Sequence, residues 1–406
     1  MAQYQITLSD DVLKGLFASD NGLAGLLEQV LNQILQAQAT EQLQAEPYER
    51  SADRQGYRNG TRPHPITTRV GTLVLRVPRL RNGTFSTELF ARYQRSEQAL
   101  LLALMEMVIN GVSTRKIAAI TEELCGEPLS KSTVSAWCQR LDPVVQGWNE
   151  RRLQAKRYPF LLVDALVLKI REEGQVRARA ALIAVGINEA GYREVWGIQL
   201  GDSESETSWA TFFAWLKDRG LQGVDFVVSD DHRGLVKAVH VQFQGATWQR
   251  CQTHFMRNLR DATPKAWQDA VIEQVRAILD APDLETARLL RDNVWAAYGD
   301  KAPKALQLLD DAFDDITAVL VLPERYRKRL RTTNGVERLN EEIRRRDRVI
   351  RIYPNRDSAL RLIGALLMEI DEKWQTGPKY FDMADYEAWR QAQKEHPAAL
   401  PLGQVS

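Results

Sequence analysis

The sequence predicts an α/β core built on a mixed sheet, carrying an all-helical insertion and preceded by helical and helix-turn-helix regions. Three observations lead there. Residues 158 to 250 alternate strand-like and helix-like segments, residues 252 to 330 lose strand character, and residues 1 to 150 read as helices broken by one short arginine-rich β-stretch. A chain of 406 residues has room for two or three domains at about 150 residues each.

Composition narrows the class. With 44% hydrophobic and 26% charged residues and no repeat or low-complexity tract, the chain fits a folded globular protein rather than a disordered or fibrous one. Cys125, Cys138 and Cys251 are too few and too scattered for a disulfide framework, which suits a reducing cytoplasm. The start MAQYQITLSDD has neither the cationic nor the apolar region of a secretory signal. The longest apolar run, residues 99 to 112, is 14 residues long and contains Glu106 and Asn110, short of a membrane span. The expectation is a cytoplasmic protein with no membrane partner.

Taken in order, residues 9 to 46 predict a helix, with Leu23, Leu27, Val30 and Ile34 near 3.6 spacing, able to pack on the protein itself or on a second subunit. ITTRVGTLVLRVPRLRNG then predicts a small hairpin around Gly71, with Pro78 and Asn82-Gly83 following and Arg69, Arg76, Arg79 and Arg81 decorating it. From 99 to 150 helical patterning returns, with Ser113 and Ser130 as natural N-caps and a break at Gly126 and Pro128 between two short amphipathic helices. That pair resembles a helix-turn-helix. Lys131, Ser132, Thr133 and Ser135 would open its recognition helix, with Arg115 and Lys116 near the DNA backbone, although helix pairs of this kind also serve as plain packing units. Next come two long strands around Gly174, a third at YREVWGIQL, a helix opened by an expected Ser203-x-x-Glu206 capping box, and two βα-type units ending at ATWQR. The expected divisions are 1–50 (helical), 51–98 (basic hairpin), 99–150 (helix-turn-helix-like), 151–375 (α/β core with an insertion at about 255–330) and 376–406 (tail).

Charge is local rather than global. The formal net charge is +1, yet residues 51 to 95 hold nine Arg against Asp53 and Glu88, and residues 323 to 351 hold ten Arg and Lys328 against five acids. Both stretches suit a polyanion, because neutralising phosphates releases condensed counterions, although two solvated faces would read the same. On a helical wheel for the second stretch, Val336, Leu339, Ile343 and Ile350 share one stripe, while Glu337, Glu341, Arg344 and Arg348 share the opposite one. Arg344, Arg345 and Arg348 are therefore candidate DNA contacts.

Three acids stand out against these settings. Asp164 interrupts the apolar run YPFLLVDALVLKI, Asp230 ends VDFVVSD, and Glu337 lies in RTTNGVERLNEEIRRRDR with Asn334 and Asn340 one turn away on either side. A carboxylate buried in a strand costs several kcal/mol unless it is paired or binds a cation. Two strand-borne aspartates and one helix-borne glutamate would hold a pair of hard divalent cations, Mg²⁺ or Mn²⁺, rigidly enough for phosphodiester chemistry. Asp231 stands beside Asp230 as a substitute. Cys251 and His254 form a C-x-x-H pair open to three readings: half of a zinc site without matching partners, two core residues at a strand-to-helix junction, or a histidine orienting a group beside the acids.

The ordered motifs RNGTRPHPITTRVGTLVLRVPRLRNGTF, GVSTRKIAAI, SKSTVSAW, VDALVLKIRE, SDDHRGL, WQRCQTHFMRN and RTTNGVERLNEEIRRR closely resemble the bacterial insertion-sequence transposases of the Mutator-like class, from about residue 40 to 375. The resemblance implies a ribonuclease-H-like catalytic core with an Asp, Asp, Glu triad at Asp164, Asp230 and Glu337, and it matches the family's Cys-or-Asp, x, x, His motif to Cys251 and His254. It further implies binding of double-stranded DNA at terminal inverted repeats and at a target. Water attack would free a 3′ hydroxyl, which then attacks a second strand, with a copied circular intermediate favoured over excision. Two ends must meet, so a homodimer or larger assembly is expected. A non-catalytic DNA-binding regulator derived from such an enzyme, or a nuclease that cuts without joining, is the alternative.

Overall fold

The computed structural model describes residues 6–8, 14, 22–50, 53–68, 70–81, 85, 87, 98–125 and 130–395. Two units emerge, Met1–Gln139 and Arg140–Ser406.

In the first unit, helix α1 (Gly22–Leu43) lies on an antiparallel pair, β1 (Arg58–Thr68) and β2 (Gly71–Leu80). Alternate residues Leu73, Leu75 and Val77 of β2 point inward with Ile66 and close around Leu35, flanked by Leu27 and Leu31. The inward line on α1 is thus Leu27 and Leu31, half-buried, then Leu35, Ala39 and Leu43, buried, whereas Leu23 of the expected stripe is exposed. Two apolar lines run along this helix, and the hairpin selects the one spaced i, i+4. The hairpin is longer than expected, since Pro63 and Pro65 fit an edge strand that need not donate at every residue. Asn82-Gly83 and Arg69 lie outside the described residues.

Helices α2 (Gln98–Ile109), α3 (Thr114–Cys125) and α4 (Lys131–Cys138) follow and pack on one another. Ser113 Oγ accepts from the Lys116 amide at 3.3 Å and Ser130 Oγ from the Thr133 amide at 3.1 Å, the two expected caps. The break at Gly126 and Pro128 lies outside the described residues.

The second unit is organised by a five-stranded mixed sheet. Strands β3 (Phe160–Glu172), β4 (Gln175–Ile187) and β5 (Arg193–Gly201) form the expected antiparallel meander, and β6 (Phe226–Ser229) and β7 (Thr247–Arg250) add in parallel beyond β3, in the order β5-β4-β3-β6-β7. A two-residue turn at Glu173 and Gly174, with φ of 49° and 78°, joins the two long strands. Helices α6 (Glu206–Asp218) and α7 (Arg233–Gln242) cover one sheet face, burying Trp209, Phe212 and Phe213 against Leu161, Val163 and Leu182. Helix α6 is capped by Ser205, whose Oγ accepts from the Ser208 amide at 3.2 Å, and not by Ser203 as expected. The Ser203 carbonyl accepts from the Ser205 amide at 3.1 Å, so the chain is still turning there.

Helices α13 (Asn334–Ile350) and α14 (Arg356–Thr376) pack on the opposite face, α13 on β3 and α14 mainly on β5. Helix α5 (Asp142–Asn149), grouped from sequence with the preceding helices, packs on β5 and α14. Between β7 and α13 come α8 (Gln252–Ala262), α9 (Gln268–Leu279), α10 (Leu284–Tyr298), α11 (Pro303–Thr317) and α12 (Glu324–Leu330), an all-helical insertion around a core of its own that includes Phe255, Leu259, Leu306 and Phe313. Gln249 and Gln252 weld it to the sheet: both side-chain amides donate to the Ile316 carbonyl, at 3.0 and 2.8 Å.

Residues expected as a tail contain α15 (Ala384–Glu395), which is docked. Tyr386 meets Phe160, the first residue of β3, with ring centroids 4.7 Å apart, and its hydroxyl donates to Asp225 Oδ2 at 2.8 Å. The same oxygen takes Arg157 Nη2 at 2.6 Å and Arg390 Nε at 3.1 Å. Tyr386→Ala removes a fully buried ring and one of those donors, so it should cost about 3–5 kcal/mol in urea unfolding. A cost below about 1 kcal/mol would mean that α15 does not support β3 in solution.

Candidate active site

Strand register brings the two aspartates together. Leu162 pairs with Val228 across the parallel β3–β6 ladder, so two residues further along each strand direction Asp164, mid-strand in β3, stands beside Asp230, the residue that follows β6. Asp164 shares the face of Leu162 and Leu166 and therefore looks toward α13. That helix buries Val336, Leu339 and Ile343, as its wheel predicts, which leaves Asn340 on the boundary of the buried stripe. Asn340 Nδ2 donates to Asp164 Oδ2 at 2.6 Å, while the Ala165 amide donates to Oδ1 at 2.8 Å.

His254, in the first turn of α8, spans the other two acids. Its Nδ1 lies 3.3 Å from Asp230 Oδ1, and its Nε2 lies 3.9 Å from Glu337 Oε1. Behind it, Cys251 acts as a rivet: its amide donates to the Ser229 carbonyl at 2.7 Å, and its sulfur accepts from the Thr333 amide at 3.4 Å and the Thr333 hydroxyl at 3.3 Å. The end of β6 is thereby tied to the start of α13. Asp231, the sequence alternative to Asp230, pairs instead with buried Arg250 at 2.7 Å. Asn334 opens α13, but its side chain lies outside the described residues.

Charge in this cluster is strained. Burial, and then the neighbouring Asp230, push the Asp164 carboxyl up to about 7. The hydrogen bond with Cys251, then Asp230, the Cys251 charge and Asp164, raise His254 to about 9 against the cost of burial, so the imidazole is protonated at neutral pH. Glu204, in the loop before α6, is a carboxylate that sequence reasoning missed; burial raises it first, and Asp230 adds to the rise. Thr333 was also missed, because only folding brings it to a cysteine 82 residues away.

The residues fit a hard divalent cation. Asp230 Oδ1 and Asn340 Oδ1 are buried without a hydrogen-bond partner, and a cation between the carboxylates would satisfy such oxygens and reverse the repulsion that raises Asp164. Among the described residues, the side chains whose ligand atoms all lie within 4.8 Å of one another are Cys251, His254 and Glu337. A softer ion there would have to displace the Thr333 donors from sulfur and the proton from His254. The oxygen set is the better match.

The expected DNA contacts are placed as follows. Arg76, Arg79 and Arg81 are exposed on the hairpin, as are Arg115, Lys116, Lys131, Ser132 and Ser135 on the helix pair. Thr133 is half-buried and its amide is used by the Ser130 cap. On α13, Arg344, Arg345 and Arg348 are exposed, Arg345 reaching Glu342 at 3.3 Å. Among the described residues no helix is long and apolar enough to cross a membrane.

Comparison with known proteins gives consistent matches. The family model "Transposase, Mutator family" matches residues 2–377. The transposase for insertion sequence element IS256 in transposon Tn4001 of Staphylococcus aureus is 44% identical over 379 residues, covering 92% of this chain and 97% of its own. The transposase for ISRM5 of Rhizobium meliloti is 42% identical over 93% of this chain and 95% of its own, and that for IS1081 of Mycobacterium tuberculosis is 40% identical over 90% and 88%. Among solved structures, the Drosophila P element transposase strand transfer complex aligns with a TM-score of 0.30 at 11% identity, covering 78% of this chain and 89% of that one, too distant to bear on the fold.

Asp164 titrates at about 7 when folded, against an ordinary 3.8. Between those values the folded chain holds a proton that the unfolded chain has released, so this group makes stability fall as pH rises through that window. Asp164→Asn removes the charge, and Asn340 can turn its amide so that its unpartnered Oδ1 accepts from the new one. In EDTA the variant should melt about 3–8 °C above wild type at pH 8 and nearly level with it at pH 5, while Mg²⁺ or Mn²⁺ should raise the melting temperature of wild type alone. A difference independent of pH would show that Asp164 is not strained.

Proposed function

The chain belongs to the Mutator family of transposases, and from that premise we propose that it binds the terminal inverted repeats of an insertion sequence and catalyses cleavage and joining of DNA strands at Asp164, Asp230 and Glu337 with two divalent cations, Mg²⁺ or Mn²⁺. The observation that carries the reading is the convergence of two sheet-borne aspartates and one helix-borne glutamate on His254 and Asn340, with buried oxygens that lack a hydrogen-bond partner. The strand order β5-β4-β3-β6-β7, antiparallel then parallel, with a helical insertion between β7 and α13, supports a ribonuclease-H-like core.

Each residue has a derived task. Asp164 and Asp230 sit on paired strands, so their spacing is set by the backbone ladder rather than by side-chain packing. Asn340 fixes the orientation of the Asp164 carboxylate, and His254 keeps Asp230 and Glu337 close despite their like charge. Bound among these carboxylates, the cations would supply positive charge to activate the attacking oxygen and to stabilise the leaving one. Water would attack first, and the freed 3′ hydroxyl would then attack a second strand in line. No protein nucleophile is required. Exposed Arg344 and Arg348 on the same helix as Glu337 suit phosphates of the bound strand.

The hairpin arginines and the helix pair of the first unit would recognise the repeats, and joining two ends calls for a homodimer or larger assembly. The deciding assay is strand transfer with labelled element-end DNA. Wild type should give joined products with Mg²⁺ or Mn²⁺ and none in EDTA, and Glu337→Gln and Asp230→Asn should lose at least about 100-fold. Asp231→Asn, which breaks only the pair with Arg250, should stay within several-fold. Joining by Glu337→Gln at the wild-type rate would remove the acidic cluster from the chemistry.

A further inference from the structure

Helix α8, which carries His254, also lines a second feature. Between α8 and α9 lies a pocket of about 480 Å³ whose apolar floor includes Met256, Ile272 and Leu279 and whose rim carries Arg257, Arg260 and Arg276. All three arginines are exposed, and among the described residues none of their guanidinium groups meets a carboxylate within ion-pair distance. Buried and half-buried arginines of this unit are consumed by the fold instead. Arg151 is spent on Asp371 at 2.8 Å, Arg250 on Asp231 at 2.7 Å and Arg361 on Asp142 at 2.5 Å.

The pocket adjoins the acidic cluster. Its inner end includes Thr332, next to the Thr333 that holds Cys251, and Arg257 follows His254 by three residues on one helix, an axial rise of about 5 Å. One side is closed by Arg331, which pairs with Asp280 at 2.5 Å. Three unpaired cations over an apolar floor match a sugar-phosphate backbone, with phosphates on the guanidinium groups and sugar carbons on the floor. The space suits a nucleotide-sized group, which matches the backbone of a single strand.

We propose that this pocket seats the backbone of a single DNA strand leading away from the acidic cluster, with Arg257, Arg260 and Arg276 each taking a phosphate. The inference deepens the reading given above and rests on it for the identity of the strand, yet its test needs no chemistry. Anisotropy of a labelled single-stranded oligonucleotide is measured in EDTA against salt, for the full chain and for Arg257→Gln/Arg260→Gln/Arg276→Gln. A control of equal charge change, Arg152→Gln/Arg288→Gln/Lys304→Gln, uses three exposed cations elsewhere in the unit.

At about 0.7 unit of salt slope per phosphate, the pocket variant should lose about 2 units and at least about 10-fold in affinity, with melting temperature unchanged. Loss no greater than in the control would overturn the proposal. Competition by dAMP at micromolar concentration, with no preference for the strand, would assign the pocket to a free nucleotide and overturn it as well. The two readings separate cleanly. Wild type that joins ends while the pocket variant binds normally defeats only the pocket, and a pocket effect in a chain that never joins ends defeats only the acidic chemistry.

Discussion

Everything near the candidate site follows from one awkward placement, the half-buried Asp164 carboxylate in the middle of β3. The flanking residues Leu162, Val163 and Leu166 are buried, so the strand cannot turn the charge to water without giving up core. The fold answers with two donors on Asp164 and a protonated imidazole nearby, and still the carboxyl is pushed up to about 7. A structure selected only for stability would place an apolar residue there. The strain is consistent with a site shaped for a cation.

That site spans a long detour in the chain. The insertion between β7 and α13 has its own core, so it could in principle swing and carry Glu337 with it. Pins at both ends oppose this. Cys251 holds Ser229 and Thr333, the Gln252 amide donates to the Arg331 carbonyl at 3.0 Å, and two glutamine side chains bind the Ile316 carbonyl. The C-x-x-H pair therefore has two separate tasks, the cysteine joining elements and the histidine joining charges. Of the three readings the sequence left open, the structure puts His254 beside the acids and Cys251 in the core.

Periodicity made the sheet and the insertion legible, because strands buried on both faces and amphipathic helices leave strong patterns over many residues. Asp164 was visible for the same reason, as a break in such a pattern. What stayed hidden depends on contacts between distant segments: the docking of α15, the choice between two apolar lines on α1, and the Thr333 donors to Cys251. The capping error at Ser203 has another origin. An S-x-x-E spacing fits several serines in DSESETS, and only the turn geometry before α6 selects Ser205.

The arginines show most clearly where sequence ends and structure begins. A formal charge of +1 conceals both basic stretches, and counting them cannot separate a guanidinium that holds the fold from one that faces a ligand. Arg346 illustrates the first kind: it sits in the run Arg344, Arg345, Arg346, yet it is buried and meets Glu342 at 2.5 Å, while its two neighbours are exposed. Arg257, Arg260 and Arg276 illustrate the second, and no charge run marks them because α8 and α9 are separate segments. An unpaired arginine on a concave apolar floor loses little by being exposed and gains a bidentate bond when phosphate arrives. Recognition of a polyanion therefore depends on which cations the fold leaves unspent.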